Sequence, residues 1–218
     1  VKLLKEKYIV SYSTGKDSVL ALYRAIRLGK DVVGLLVIAH DEEDISWFHD
    51  VSLSLIESVS KSLEIPLILV KASGEDYEKN FEDGLRQGKK IGATCCIFGD
   101  IDIENHRKWC DDRCKNVYMK SWFPLWQESR KDLVSEFVNC DFKAVIKKVN
   151  LNYLDESFLG IDLNKEVLDK IKAKNCDVCG ENGEYHTFVY DGPLFKERVN
   201  FKIDSIQKDG IFAHLNIY

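Results

Sequence analysis

A chain of 218 residues is long enough to bury a substantial core, as one large domain or as a main domain with a smaller appendage. Its 31 basic and 36 acidic residues, with 45% apolar content, describe a mildly acidic globular protein, which argues against a dominant nucleic-acid-binding face. No apolar run approaches a membrane-spanning length, and residues 1–7 lack the apolar core and small-residue cleavage site of a secretion signal; a cytoplasmic protein with no membrane partner is expected.

The apolar run at residues 8–10 predicts a strand, the stretch 11–18 a tight loop, and residues 19–28 an amphipathic helix. A glycine-containing turn at a helix start aims several unpaired N–H groups at one point, where the helix dipole and Lys16 add positive potential: a phosphate cradle. An ordinary helix start capped by Ser13 or Asp17 is the alternative. The Walker pattern fails at both ends, where Val10 and Asp17 stand in place of its Gly and its Ser or Thr.

Residues 31–39 read as a strand buried on both faces. An acidic connection over 40–50, holding Trp47, Phe48 and His49, is a candidate lid or specificity loop. A helical stripe over 51–63 breaks at Ile65-Pro66 before a strand at 67–70. A helix at 75–90 and a strand at 93–98 follow, and Gly99-Asp100 ends that strand. Four apolar strands separated by helices predict βαβ units and a mostly parallel sheet.

Ligands of such sheets sit outside the carboxyl ends of the strands, so residues 13–18, 40 and 99–100 are expected on one rim. Ala39 and His40 stand where a base would lie. Asp100 could orient a metal or a substrate amine, or simply form a turn or N-cap before a helix starting near Glu104. His106 and Arg107 fall early on that helix, and an arginine there could clamp a phosphate or carboxylate; a surface His-Arg pair is the alternative. Trp122, Phe123 and Trp126 read as core at a domain junction marked by Pro124. Beyond it come a helix at 128–140, a strand at 142–149, a helix at 163–173, and a hairpin of 200–206 with 211–218 around Asp209-Gly210.

Seven cysteines, odd in number and irregularly spaced, read as reduced thiols. Cys110 with Cys114 and Cys176 with Cys179 leave a four-thiolate zinc site as an option. Residues 179–195 form a second cluster, in which Glu181, Glu184, His186 and Asp191 are framed by Gly180, Gly183, Gly192 and Pro193. A carboxylate there could bind an amine, and a histidine near neutrality could act as acid or base; a solvated β-turn is the alternative.

Ser13-Thr14-Gly15-Lys16-Asp17-Ser18 resembles the loop Ser-Gly-Gly-Lys-Asp-Ser of PP-loop ATP pyrophosphatases, with Thr14 the departure. Thr14 carries a branched Cβ, so a left-handed conformation at that position would cost it more than glycine. Four further blocks follow: Gly99-Asp100-Ile101, His106-Arg107 with Trp109, Pro124-Leu125-Trp126, and residues 180–188 with 191–195. In this order they resemble the diphthine ammonia ligase family of PP-loop enzymes over nearly the whole chain.

The resemblance implies an α/β fold: a Rossmann-like parallel-sheet domain of the adenine nucleotide alpha hydrolase type over 1–125, and a smaller C-terminal α+β substrate domain over 126–218. It implies an AMP-forming ligase that adenylates a carboxylate for attack by ammonia, with ATP and Mg²⁺ as cofactors. Ser13, Thr14, Gly15, Lys16, Asp17, Ser18, Ala39 and His40 would bind the nucleotide, and Asp17 and Asp100 the metal. Lys16, Asp100, His106, Arg107, Glu184 and His186 would act in the chemistry, and Glu181, Asn182, Gly183, Glu184, Tyr185, His186 and Thr187 would bind the acceptor. That acceptor would be diphthine on the translation elongation factor. Asn182 in place of a glycine and His186 in place of an acid resemble instead a bacterial branch, whose acceptor would be a different carboxylate, for example in corrinoid salvage. An ATP or AMP sensor without chemistry and a tRNA-modifying PP-loop enzyme are further options, and a homodimer is left open.

Overall fold

The computed structural model describes residues 6–218; the reading of residues 1–5 as part of a leaderless N-terminus lies outside them. The chain divides into two compact units: residues 6–13, 17–48 and 64–127 in the first, and 14–16, 49–63 and 128–218 in the second.

In the first unit the strands are β1 (Lys7–Ser11), β2 (Asp31–His40), β3 (Leu67–Ala72), β4 (Ala93–Ile97) and β5 (Lys120–Trp122). All pair in parallel, in the order β3-β2-β1-β4-β5. This is the Rossmann-like α/β sheet, and its strand order reverses between β1 and β4, where a doubly wound sheet opens its ligand crevice. Leu35, Leu36, Val37, Ile38 and Ala39 are buried in succession along β2, as a strand covered on both faces requires. Helix α3 (Tyr77–Lys90) lies close on the sheet because two of its residues have no side chain. A Cβ at Gly84 would come within 2.4 Å of Leu36 Cδ1, and one at Gly88 within 2.5 Å of Ile9 Cδ1. Glycine inside a helix costs about 1 kcal/mol against alanine, which this close packing offsets. Helix α4 (Glu104–Asn116) adds Cys110 and Cys114 to the same core.

Helix α1 (Lys16–Arg27) starts at Lys16 and α2 (Leu53–Leu63) belongs to the second unit. That unit is built on the antiparallel sheet β7-β6-β9-β8, made of β6 (Lys143–Asn150), β7 (Tyr185–Asp191), β8 (Ile203–Asp209) and β9 (Phe212–Ile217). Helices α5 (Arg130–Asn139) and α6 (Lys165–Ala173) start on side-chain caps: Ser129 accepts from the Asp132 amide and Asn164 from the Val167 amide. The β8–β9 hairpin turns at Gly210, whose φ is 56°. Among the described residues no helix is long and apolar enough to cross a membrane.

Two readings are corrected. The cluster at 179–195 is not a solvated turn throughout: Tyr185, Thr187, Phe188, Val189 and Tyr190 are buried along β7. The four cysteines weighed for zinc do not gather into one thiolate site. Cys110 Sγ lies 3.7 Å from Asp100 Oδ2, and Cys176 Sγ 3.7 Å from the Tyr153 carbonyl oxygen. Among the described residues, Cys179 belongs to a group that could hold a metal ion, together with Glu181, and Cys110, Cys114 and Cys176 belong to none.

Candidate functional site: a phosphate loop and a pinned strand

In the first unit, the end of β1 turns back on itself through Ser18, whose Oγ accepts from the Ser13 amide and from Ser13 Oγ, both at 3.2 Å. Gly99, just past β4, supports this turn from beside it. A Cβ there would lie 2.8 Å from the Asp17 carbonyl carbon and 2.9 Å from the Ser18 nitrogen, so only glycine lets the start of α1 sit this close. Loop and Gly99-Asp100 corner thus meet at the switch point of the sheet.

Asp100 caps no helix, since Ile103 holds the N-cap position of α4 and makes no side-chain cap. Burial raises its pKa, with a further push from Asp17, while His106, with Nδ1 3.8 Å from Asp100 Oδ1, acts the other way. Two neighbouring carboxylates, one of them largely buried, are a donor set that suits a divalent cation. Arg107 lies over the rings of Trp126 and Phe123, with its guanidinium carbon 4.7 and 5.4 Å from their centroids. Those aromatics, read from sequence as junction core, therefore also seat the arginine. On the β2 side Ala39 is fully buried, and the His40 ring stacks on Trp47 at 4.3 Å.

In the second unit, residues 14–16 are tied to β7. Thr14 adopts φ 67°, the left-handed conformation that favours glycine, and its carbonyl accepts from the Val189 amide at 2.9 Å. The Lys16 amide donates to Thr187 Oγ1 at 3.0 Å, so this N–H of the cradle already has a protein partner. The Lys16 ammonium lies 5.5 Å from the centre of the Tyr185 ring. His49 packs over Gly15, where a Cβ would come within 2.5 Å of its ring, and its Nδ1 meets the Thr187 carbonyl at 3.0 Å.

The stretch 177–184 is pinned by two carboxylates. Glu184 accepts from the amides of Asp177 and Asn182 at 3.0 Å each, and from Asn182 Nδ2 at 3.1 Å. Asp177 accepts from the amides of Cys179 and Glu181 and pairs with Arg130 at 2.8 Å. Arg130 also donates to Asn182 Oδ1 at 3.0 Å, so Asn182 bridges the two anchors. Gly180, at φ 75°, stands where a Cβ would strike the Tyr185 ring; Gly183 has φ 85°. His186 does not titrate near neutrality. Burial and the neighbouring Lys148, Lys16 and Lys147 lower its pKa to about 4, so it is a neutral imidazole at pH 7.

The structure therefore brings Ser13, Asp17, Ser18, Asp100, His106 and Arg107 around one end of the parallel sheet, with Ala39 and His40 at the end of β2. It joins Thr14 to Val189, Gly15 to His49 and Lys16 to Thr187, and keeps Glu181, Asn182, Gly183, Glu184 and Tyr185 in the pinned stretch and the strand start. His49, Asp177 and Arg130 were missed. No local signal marks Asp177 or Arg130, whereas His49 lay within the connection already singled out.

Residues 6–121 match the Diphthamide synthase N-terminal domain, and residues 129–217 the Diphthamide synthase C-terminal domain. The chain belongs to the diphthamide synthase family. Among curated relatives, the diphthine–ammonia ligase of Schizosaccharomyces pombe is 30% identical over 210 residues, covering 86% of this chain and 34% of the relative. The diphthine–ammonia ligase of Bos taurus is 26% identical over 219 residues, covering 86% and 79%, and that of Saccharomyces cerevisiae 25% over 240 residues, covering 92% and 35%. The chain thus spans about a third of these two yeast members of the diphthamide synthase family and most of the bovine one.

Proposed function

We propose that this chain is an ATP-dependent, AMP-forming ligase that adenylates a carboxylate for amidation by ammonia, with residues 1–125 as nucleotide domain and 126–218 as substrate domain. The observation that carries the reading is the closure of the loop: Ser13 bonded to Ser18, with Gly99 admitting the first turn of α1 at a distance no side chain allows. A turn so held at a helix start suits polyphosphate oxygens. Its relatives named diphthine–ammonia ligase supply the reaction class.

In this reading Ser13, Ser18 and Lys16 hold the β- and γ-phosphates, so that pyrophosphate departs with its charge already compensated. Asp17 and Asp100 would hold Mg²⁺, which draws charge off the phosphates when bound. Arg107, fixed over Trp126 and Phe123, steadies the carboxylate or the charge that develops on it. Glu184, with its oxygens accepting three N–H groups, acts by shaping the acceptor pocket, and neutral His186 can accept a proton from the attacking ammonia. The side chains of Asn182 and His186, which depart from the diphthine pattern, favour a different carboxylate as acceptor.

The test is turnover of ATP with ammonium and a panel of carboxylates that includes diphthine on an elongation factor, with products identified by mass spectrometry. AMP and pyrophosphate are expected, with loss of about two orders of magnitude or more in Lys16→Ala. ADP as the product, or ATP binding with no cleavage against any acceptor, would overturn the reading.

A further inference from the structure

The pairing of β6 with β7 slips at two points, the first between Lys143 and Ala144; at the second, Ile146 faces Thr187 and Lys148 faces His186, which makes Lys147 the extra residue of a β-bulge. A bulge interrupts the in-out alternation and re-aims a side chain. Lys148 pairs with His186 on one side and with His214 of β9 on the other, a row of three basic residues across one face of the sheet. Lys147 lies near enough to act on His49, His186 and His214 electrostatically. Its side chain is 1% exposed and its Nζ has no hydrogen-bond partner. His214 Nδ1 is likewise buried and unpartnered, while its Nε2 meets Gln207 Oε1 at 3.3 Å. The carboxylate that faces this cluster, Asp50, is engaged by Lys148 at 3.3 Å.

A lysine that serves only packing keeps its stem in the core and its ammonium in water or on a carboxylate. Lys147 does neither, and an ammonium buried without a partner is costly unless something completes it. A metal cation is repelled by such a cluster; an oxyanion is what it lacks. We propose that Lys147, Lys148, His186 and His214 form an oxyanion site on the β6–β7–β9 face, which takes a carboxylate or a phosphate. The source of the anion, acceptor carboxylate or nucleotide phosphate, rests on the ligase reading above, whereas the site itself does not.

Calorimetric titration of the full chain with inorganic pyrophosphate in one arm and glutarate in the other tests it, using wild type, Lys147→Met, Lys148→Met and the exposed control Lys172→Met. Wild type is expected to bind at least one anion, Lys147→Met to bind it at least tenfold more weakly, Lys148→Met to follow, and Lys172→Met to match wild type. Weakening confined to pyrophosphate assigns the site to nucleotide phosphates; weakening confined to glutarate assigns it to the acceptor. Wild type that binds neither anion, or Lys147→Met that binds both as wild type does, overturns the proposal. Thermal melts accompany each variant. Lys147→Met should melt no lower than wild type, and if it does not fold, the part-exposed Lys148 carries the comparison. No turnover is read, so a failed ligase assay leaves this result standing.

Discussion

Thr14 holds a conformation at odds with its chemistry: a β-branched residue at φ 67°, fully buried, with its Oγ1 unpartnered. Left-handed backbone costs a non-glycine residue about 1–3 kcal/mol, and a buried unpaired hydroxyl adds a similar amount. Glycine would remove both terms, but would forfeit about 1 kcal/mol of methyl burial and about 0.5–1 kcal/mol in chain entropy. Thr14→Gly is therefore expected to be as stable as wild type within about 1 kcal/mol, or more stable, in urea denaturation. A loss beyond about 2 kcal/mol would mean that the threonine side chain itself holds the loop. At this scale the sequence showed that position 14 was out of pattern but not that the fold would force it left-handed, because its carbonyl partner, Val189, lies 175 positions away. The adjacent lysines 147 and 148 interrupt the apolar run of Ala144, Val145 and Ile146 before Val149, and that interruption is the one trace of the bulge in the sequence.

Among elements, the stretch 177–184 owes its form to Asp177 and Glu184 as well as to its glycines. Glu184→Gln keeps the shape but sets an amide donor against N–H groups that need acceptors. It is expected to cost about 1–3 kcal/mol and to speed hydrogen exchange at the Asp177 and Asn182 amides, with the core of β2 unchanged. Unchanged exchange at those two amides would refute the pinning. The same stretch marks where sequence reading ran out. A carboxylate that accepts from backbone amides looks identical in sequence to one that meets a substrate, and the titratable residues of β7 concealed a strand. β5 escaped notice because three residues, none of them fully buried, are too few to show a period. The four longer parallel strands were legible from their apolar runs, and the C-terminal hairpin from Asp209-Gly210.

Across the whole molecule, acid should unfold the protein through its histidines. Burial, together with His186 and the lysines nearby, lowers the pKa of His49 to about 3 from 6.5, and that of His186 falls to about 4. Both are depressed on folding, so below pH 6.5 the unfolded chain binds the extra protons. Their contribution is full above that pH and is lost as pH falls toward 3. Urea midpoints measured from pH 7 to pH 4 should decline steadily, and a His49→Gln, His186→Gln double variant should flatten the decline. An equal slope in that variant would move the effect to the carboxylates.

The bond between the Thr14 carbonyl and the Val189 amide joins the loop before α1 to β7 through main chain alone. Substitution of either side chain leaves it in place, so a saturation screen of both positions would score them as independent. The two can drift apart in identity over evolutionary time while remaining mechanically one piece. Only proline at 189, which removes the donor, would reveal the link to a geneticist.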